Sequence, residues 1–265
     1  MQFITIGGIT LHFDRRPAGQ GRPHLVFINS LGTDLRIWSE VAGAFDGSTA
    51  TLAYDKRGHG LSDLGPTPYT IEDHVDDLLG LIDHLGIKEV VLCGLSVGGL
   101  IALGLAGRRP GIVKGLVLCD TAHKIGTADG WNSRIAAVQK GGIAAIADTV
   151  MKLWFTPRFH AERKPALDGC RNMLARQPVA GYAATCAAIR DADYTRTAEA
   201  IAVPTLCIVG DQDGSTPPAL VRSMADIIPG SQFEVIAGAG HIPCIEQPAV
   251  LVALITQFLA RLPSE

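Results

Sequence analysis

The sequence predicts an α/β protein: a doubly wound, mostly parallel sheet with a helical segment inserted late in the chain. Three observations predict it. Short, almost uninterrupted apolar runs recur along the chain, as in strands covered on both faces. The segments between several of them carry apolar residues at helical spacing. The alternation lapses between residues 121 and 198 and then resumes. Strand–helix alternation with right-handed crossovers builds a doubly wound sheet. The length, 265 residues, suffices for one large core or two modest ones, because a chain of this size buries roughly 70–75% of its unfolded surface.

Taken in order, residues 2–6 and 9–13 flank Gly7-Gly8, a hairpin signal, and are expected as an antiparallel edge. Residues 25–28 and 51–54 are the next strands. Residues 71–85 place apolar side chains at 71, 75, 78, 79, 82 and 85, which makes one helical stripe. Thr70 with Asp73 forms a capping-box signal at its start, and Gly86 marks its end. Strands follow at 90–93, 116–119 and 205–209. Residues 233–236 are strand-like, and 250–262 form a closing amphipathic helix. The Ala-rich stretch between has no convincing strand. The core is therefore assigned to residues 1–120 and 199–265, and residues 121–198 to a helical cap over the sheet. No repeat, low-complexity tract or flexible linker interrupts the chain.

Composition narrows the function. Apolar residues make up 47% and charged residues 18% of the chain, which excludes global disorder. The net charge of −3 offers no basic excess for nucleic acid, and an anionic substrate would need a local cation. Six cysteines are scattered without a C-x-x-C pair, so zinc and thioredoxin-type sites are disfavoured. Several sit in apolar runs, as buried thiols do. Residues 1–8 lack the basic and apolar regions of a signal peptide, and the reading is a reduced, cytoplasmic protein. The uncharged run 90–107 has the length of a membrane span, yet its five glycines cluster about a serine. A strand, a sharp turn and a helix account for it better.

That serine carries the chemistry. Gly94-Leu95-Ser96-Val97-Gly98-Gly99 follows a predicted strand and opens a predicted helix, the setting of a G-x-S-x-G nucleophile elbow. The glycines remove Cβ atoms that would clash in so tight a turn. The helix N-terminus favours negative charge developing beside the hydroxyl. A serine needs a base, and the base an orienting acid. Of the histidines after Ser96, His123 and His160 fall in the insertion, whereas His241 lies in Gly238-Ala239-Gly240-His241 after a strand-like run. The acid has three candidates. Asp213 is favoured, just beyond the strand 205–209; Asp211 shares its loop, where it could also cap a turn, and Asp120 ends the strand 116–119. The oxyanion donors are expected from the N–H of Val97 and, in Asn29-Ser30-Leu31-Gly32, the N–H of Leu31.

At these residues the chain resembles the α/β-hydrolase family along its whole length. Tyr54-Asp55-Lys56-Arg57-Gly58-His59-Gly60-Leu61-Ser62 looks like the family's D-x-R-G-x-G-x-S segment, a structural turn beside the site. Asn29-Ser30-Leu31-Gly32-Thr33-Asp34 with Trp38, Cys93 to Gly99, Trp131 to Arg134, and Trp154-Phe155-Thr156 resemble the 3-oxoadipate enol-lactonases in particular. Asn29-Ser30 stands where most α/β-hydrolases have His-Gly. Two positions depart from the enol-lactonase pattern: Asp120 replaces a common Asn, and Gly210-Asp211-Gln212-Asp213 a typical Gly-Thr-His-Asp.

The resemblance implies an α/β-hydrolase fold with a helical lid, and a serine hydrolase of the β-ketoadipate pathway that opens a small anionic enol-lactone to 3-oxoadipate. It implies no metal or organic cofactor, no nucleic-acid or membrane partner, and a monomer or small homo-oligomer. The substrate carboxylate needs a cation, for which Arg134, expected at the start of the first insertion helix, is chosen because guanidinium matches carboxylate bidentately. Trp131 and Trp154 are candidate pocket walls, although aromatics in such helices also serve as plain core. Alternatives on the same scaffold are a general carboxylesterase, a C–C bond hydrolase or a perhydrolase. A non-catalytic binding module is disfavoured by the presence of Ser96, Asp213 and His241. Epoxide hydrolases and haloalkane dehalogenases are disfavoured because they use Asp where Ser96 stands.

Overall fold

A computed structural model describes residues 1–18 and 23–263. Residues 19–22 and 264–265, which the core segments 1–120 and 199–265 include, lie outside the described residues. Among those described, the strands are β1 (Gln2–Ile6), β2 (Ile9–Arg16), β3 (His24–Ile28), β4 (Thr51–Tyr54), β5 (Val90–Leu95), β6 (Val113–Cys119), β7 (Thr205–Gly210) and β8 (Gln232–Ile236). They form one sheet in the order β1-β2-β4-β3-β5-β6-β7-β8. β1 and β2 pair antiparallel, as do β2 and β4, and every other pair is parallel. The order reverses on the two sides of β3, which is the doubly wound pattern. β1 turns into β2 through Gly7 and Gly8, at φ +56° and +84°, the positive angles a two-residue hairpin demands.

The helices are α1 (Ser39–Gly43), α2 (Ile71–His84), α3 (Val97–Arg108), α4 (Ala128–Gly141), α5 (Ala144–Trp154), α6 (Pro157–Glu162), α7 (Lys164–Ala175), α8 (Val179–Asp191), α9 (Thr195–Glu199), α10 (Pro218–Ile227), α11 (Pro243–Glu246) and α12 (Pro248–Ala260). α2 begins with the expected box: Thr70 N–H donates to Asp73 Oδ2 at 2.7 Å and Asp73 N–H to Thr70 Oγ1 at 3.3 Å. Its buried side chains include Ile71, Val75, Leu78, Leu79 and Ile82. α3 is apolar on all sides and buried from Val97 to Ala106, because it is packed against the sheet and covered by α2.

Strand β6 starts at Val113 rather than 116, since Lys114 and Gly115 hide the apolar pattern; Val113 and Gly115 still pair with β5, and the register shifts at Lys114 between them. α12 starts at Pro248, ahead of the expected 250, with a proline in its first turn. Between β6 and β7 the described residues form helices only; α4 packs on α8, and α5 on both α4 and α7. All six cysteines are free and buried. Among the described residues no helix is long and apolar enough to cross a membrane; the uncharged run 90–107 divides at Ser96 into β5 and α3.

Candidate active site

Ser96 sits between β5 and α3 at φ 57°, ψ −119°, a backbone region that costs a residue with a side chain of order 1–3 kcal/mol. The strain is held by close packing. A Cβ at Gly94 would lie 2.3 Å from Gly98 O, and one at Gly98 would lie 2.2 Å from Ile28 O. Neither position admits a side chain, which is the physical content of the motif. Ser96 N–H donates to Cys119 O at 3.0 Å, and Ser96 O accepts from Gly99 N–H at 2.8 Å and Thr121 Oγ1 at 2.6 Å.

His241 lies in the loop after β8 and Asp213 in the loop after β7. They meet with Nδ1 and Oδ2 2.9 Å apart, both side chains buried. Asp213 is saturated: Oδ1 accepts from the Ser215 and Thr216 N–H groups at 2.7 and 3.0 Å, and Oδ2 accepts from Thr216 Oγ1 at 2.6 Å. Burial alone would push this carboxyl up. The charge of His241 and the hydrogen bonds from His241 and Thr216 outweigh burial and hold it below the usual carboxylate range. Asp213 is therefore the candidate acid that faces the imidazole as an anion.

The other two acids hold loops. Asp211 Oδ1 accepts from Gly238 and Ala239 N–H at 2.9 and 3.3 Å, tying the acid loop to the histidine loop. Asp120 Oδ1 accepts from Gly210 N–H at 2.9 Å. Burial and the neighbouring charge of Asp213 push its carboxyl well above the usual range. Asp120, Asp213 and His241 offer ligand-type atoms within 4.8 Å of one another. Asp213 engages the ring, and Gly210 N–H engages one Asp120 oxygen.

Ser96, His241 and Leu31 line one cavity of about 340 Å³. The ring is hydrogen-bonded on its Asp213 side and forms no hydrogen bond to Ser96 Oγ among the described residues; such contacts commonly tighten only when substrate binds. The Leu31 N–H has no protein acceptor among the described residues. Val97 opens α3, where the first N–H groups lack intrahelical acceptors. A larger cavity, about 1230 Å³, opens elsewhere around Arg15, His24 and Lys88. It holds none of this chemistry and borders residues outside the described set.

The same 340 Å³ cavity is lined from the helical segment by Trp131, Arg134, Trp154 and Tyr182. Arg134 lies in the middle of α4 rather than at its start, because Thr127 caps the helix well before it by accepting from Gly130 N–H at 3.2 Å. Its guanidinium stacks on Trp131 at 5.3 Å, lies beside Tyr182 and has no ion-pair partner among the described residues. Trp131 is half-buried and donates to Ile125 O at 2.7 Å; Trp154 is buried. Thr216 and Tyr182 were not anticipated from sequence. Thr216 carries a weak signal, a hydroxyl three residues after an aspartate, as in an Asx turn; Tyr182 carries none.

The segment 153–156 joins the helical layer to the loops that carry Asp213 and His241. His241 N–H donates to Trp154 O at 2.8 Å and Gly214 N–H to Leu153 O at 3.2 Å. Glu246 accepts from Gly240 N–H at 2.8 Å and also from Thr156 N–H and Oγ1.

A serine on a strand–helix elbow, below helices and sharing a cavity with the histidine of a histidine–aspartate pair drawn from the ends of β8 and β7, is the architecture of one class. Residues 25–254 match the profile of the alpha/beta hydrolase family, and the chain belongs to that family. Within it the chain is similar to 3-oxoadipate enol-lactonase 2 of Acinetobacter baylyi, 37% identical over 227 residues that cover 86% of this chain and 85% of the relative. The crystal structure of the enol-lactonase from Burkholderia xenovorans superposes with a TM-score of 0.94 at 35% identity, covering 98% of this chain and 100% of that one. A malate-bound thermophilic esterase from Thermogutta terrifontis superposes at 0.92 with 29% identity, covering 98% and 99%.

Proposed function

We propose that the chain is a serine hydrolase that opens 3-oxoadipate enol-lactone to 3-oxoadipate, in the breakdown of aromatic compounds. The observation that carries this reading is the joining, in one cavity, of Ser96 and His241 with the unpaired guanidinium of Arg134. Similarity to the enol-lactonases supports the choice of lactone.

His241 takes the Ser96 proton as the hydroxyl attacks the lactone carbonyl, and Asp213 keeps the imidazole in the tautomer whose Nε2 is free for this. The tetrahedral oxyanion sits on the N–H groups of Leu31 and Val97. Its collapse breaks the ring C–O bond and expels an enolate, which remains tethered, takes the proton held by His241 and becomes a ketone, leaving the imidazole neutral. An enolate leaves more readily than an alkoxide. His241 then removes a proton from water, which attacks the acyl-enzyme and releases the dicarboxylate with Ser96 restored. Arg134 pairs with the acetate side chain of the lactone, and Trp131 and Trp154 wall the ring.

The test is the ultraviolet decay of the enol-lactone on adding purified protein, set against hydrolysis of p-nitrophenyl acetate. Efficient lactone decay that vanishes in Ser96→Ala, by roughly 10⁵–10⁶-fold in kcat, supports the reading; unchanged turnover in that variant refutes it. The likeness to the thermophilic esterase favours a second reading, a general carboxylesterase. In that case the simple ester outruns the lactone.

A further inference from the structure

Lys56 follows β4 and is entirely buried. Its Nζ donates to Ser30 O at 2.6 Å. That oxygen also accepts from Thr33 Oγ1 at 2.9 Å and from Thr33 N–H at 3.3 Å. Burying an ammonium is costly unless it is paired, and here no carboxylate touches it. The two nearest are engaged elsewhere: Asp34 with Arg36, and Asp55 with the Leu35 and Leu61 N–H groups and His12. The cation is directed at a peptide.

The peptide is the one that joins Ser30 to Leu31. It is trans, so its N–H points opposite to its C=O. With the carbonyl facing Lys56, the Leu31 N–H faces away from it, without a protein acceptor among the described residues. Ser30, Leu31 and Ser96 line the same cavity. A cation bonded to a carbonyl draws electron density through the amide and strengthens the N–H as a donor, as hydrogen bonds in chains polarise one another.

We propose that Lys56 is a positioning residue for the oxyanion hole, its buried ammonium fixing and polarising the Ser30–Leu31 peptide so that the Leu31 N–H binds the tetrahedral oxyanion more strongly than the substrate carbonyl. The inference rests on the proposed attack by Ser96. The strand–turn position beside β3 explains why the cation comes from this residue: β4 pairs with β3, and the residue after Tyr54–Asp55 emerges behind the loop that follows Ile28.

The charge has a working range. Burial pulls the Lys56 ammonium down to about 7, against the opposing pull of Asp55 and Asp34. The other titratable neighbours are Arg57, paired with Asp77, and His59 and His74, which burial and the Lys56 charge keep neutral. The ammonium is thus present below about pH 7 and lost as pH rises through that value, and its contribution to kcat is lost with it.

The experiment compares Lys56→Met, Lys56→Gln and the unmodified enzyme. Loss of a whole oxyanion donor costs about 10²–10³-fold in kcat, so loss of its polarisation is expected to cost about 10-fold. In Lys56→Met, kcat for both lactone and p-nitrophenyl acetate falls by that factor with KM within twofold. An aryl boronic acid, which forms a tetrahedral adduct on Ser96, loses affinity in parallel. Adipate, a ground-state competitor for the carboxylate site, binds as before. Lys56→Gln, which keeps a donor without the charge, recovers part of the loss. Parallel losses of adipate and boronic acid binding, or unchanged kcat in Lys56→Met, overturn the inference. If neither variant folds, the unmodified enzyme decides: kcat must decline on the alkaline side as the ammonium, whose pKa burial lowers, loses its proton, and a profile flat up to the ordinary lysine value of 10.5 overturns it. Failure of the unmodified enzyme to hydrolyse either substrate would instead refute the proposed function.

Discussion

Replacing Arg134 separates a lactonase for an anionic substrate from a general esterase. Arg134 is the one guanidinium lining the cavity among the described residues. It is half-buried, stacked on Trp131, and pairs with no carboxylate among the described residues. A hydrogen bond to a charged group contributes about 1.5–3 kcal/mol, which converts to about 10- to 150-fold in kcat/KM at 1.36 kcal/mol per decade. Partial exposure screens the pair, which puts the expectation near the low end, about 10- to 30-fold. Arg134→Gln should therefore lower kcat/KM for the enol-lactone by that factor, mostly through KM, and leave p-nitrophenyl acetate within about twofold. Arg134→Lys should fall between, because an ammonium keeps the charge without the fork. The assay is steady-state ultraviolet decay of the lactone at two ionic strengths, and the loss should shrink in high salt. Equal effects on the charged and neutral substrates, or no effect on either, would refute the assignment of the carboxylate to this residue.

Three further outcomes follow from the loops. Asp213→Asn should lower kcat by about 10⁴-fold, because an amide facing Nδ1 selects the wrong tautomer. Asp211→Asn should cost far less, since Asp211 bonds only loop N–H groups; the order of the two kcat values is the measurement. Asp213 also links pH to stability. Its folded carboxyl lies below the usual range, so its contribution is present at neutral pH and lost as pH falls through that depressed value. Asp213→Asn should be less stable than the parent in urea at pH 7, with the gap closing below about pH 4. Gly98→Ala forces a methyl to 2.2 Å from Ile28 O. It should cost about 1–3 kcal/mol in denaturant titration as overpacking and should also displace the elbow, abolishing turnover.

The sheet was largely legible because its strands are short apolar runs with two buried faces, and β4 falls where the pattern places it. The apolar pattern places the start of β6 three residues late, because Lys114 and Gly115 interrupt its run while the pairing resumes at Gly115 after a register shift. The elbow was legible from sterics alone: the glycines at 94 and 98 mark positions where a Cβ has no room. Position along the chain favours Asp213 among the three acids without excluding Asp211 or Asp120. All lie near strand ends, and what separates them is which group each carboxylate faces. Arg134 was placed at a helix start because the Thr127 cap, short and polar, reads equally well as loop. Lys56 falls in a charge-rich turn that reads as structural. A lysine's burial is set by what packs over it, here a loop 26 residues earlier in the chain, and no local pattern encodes that.

The bonds from the stretch 153–156 bear on how the enzyme could be re-tailored. His241 and the Asp213 loop both borrow carbonyls from this stretch, and a Cβ at Gly240 would come within 2.3 Å of Trp154 O. A foreign lid grafted between β6 and β7 to accept larger substrates would have to reproduce those two carbonyls in register, or the imidazole would lose its seat. Swaps confined to α4 and α8 leave that anchorage intact, so that is where new specificity can be built without dismantling the catalyst.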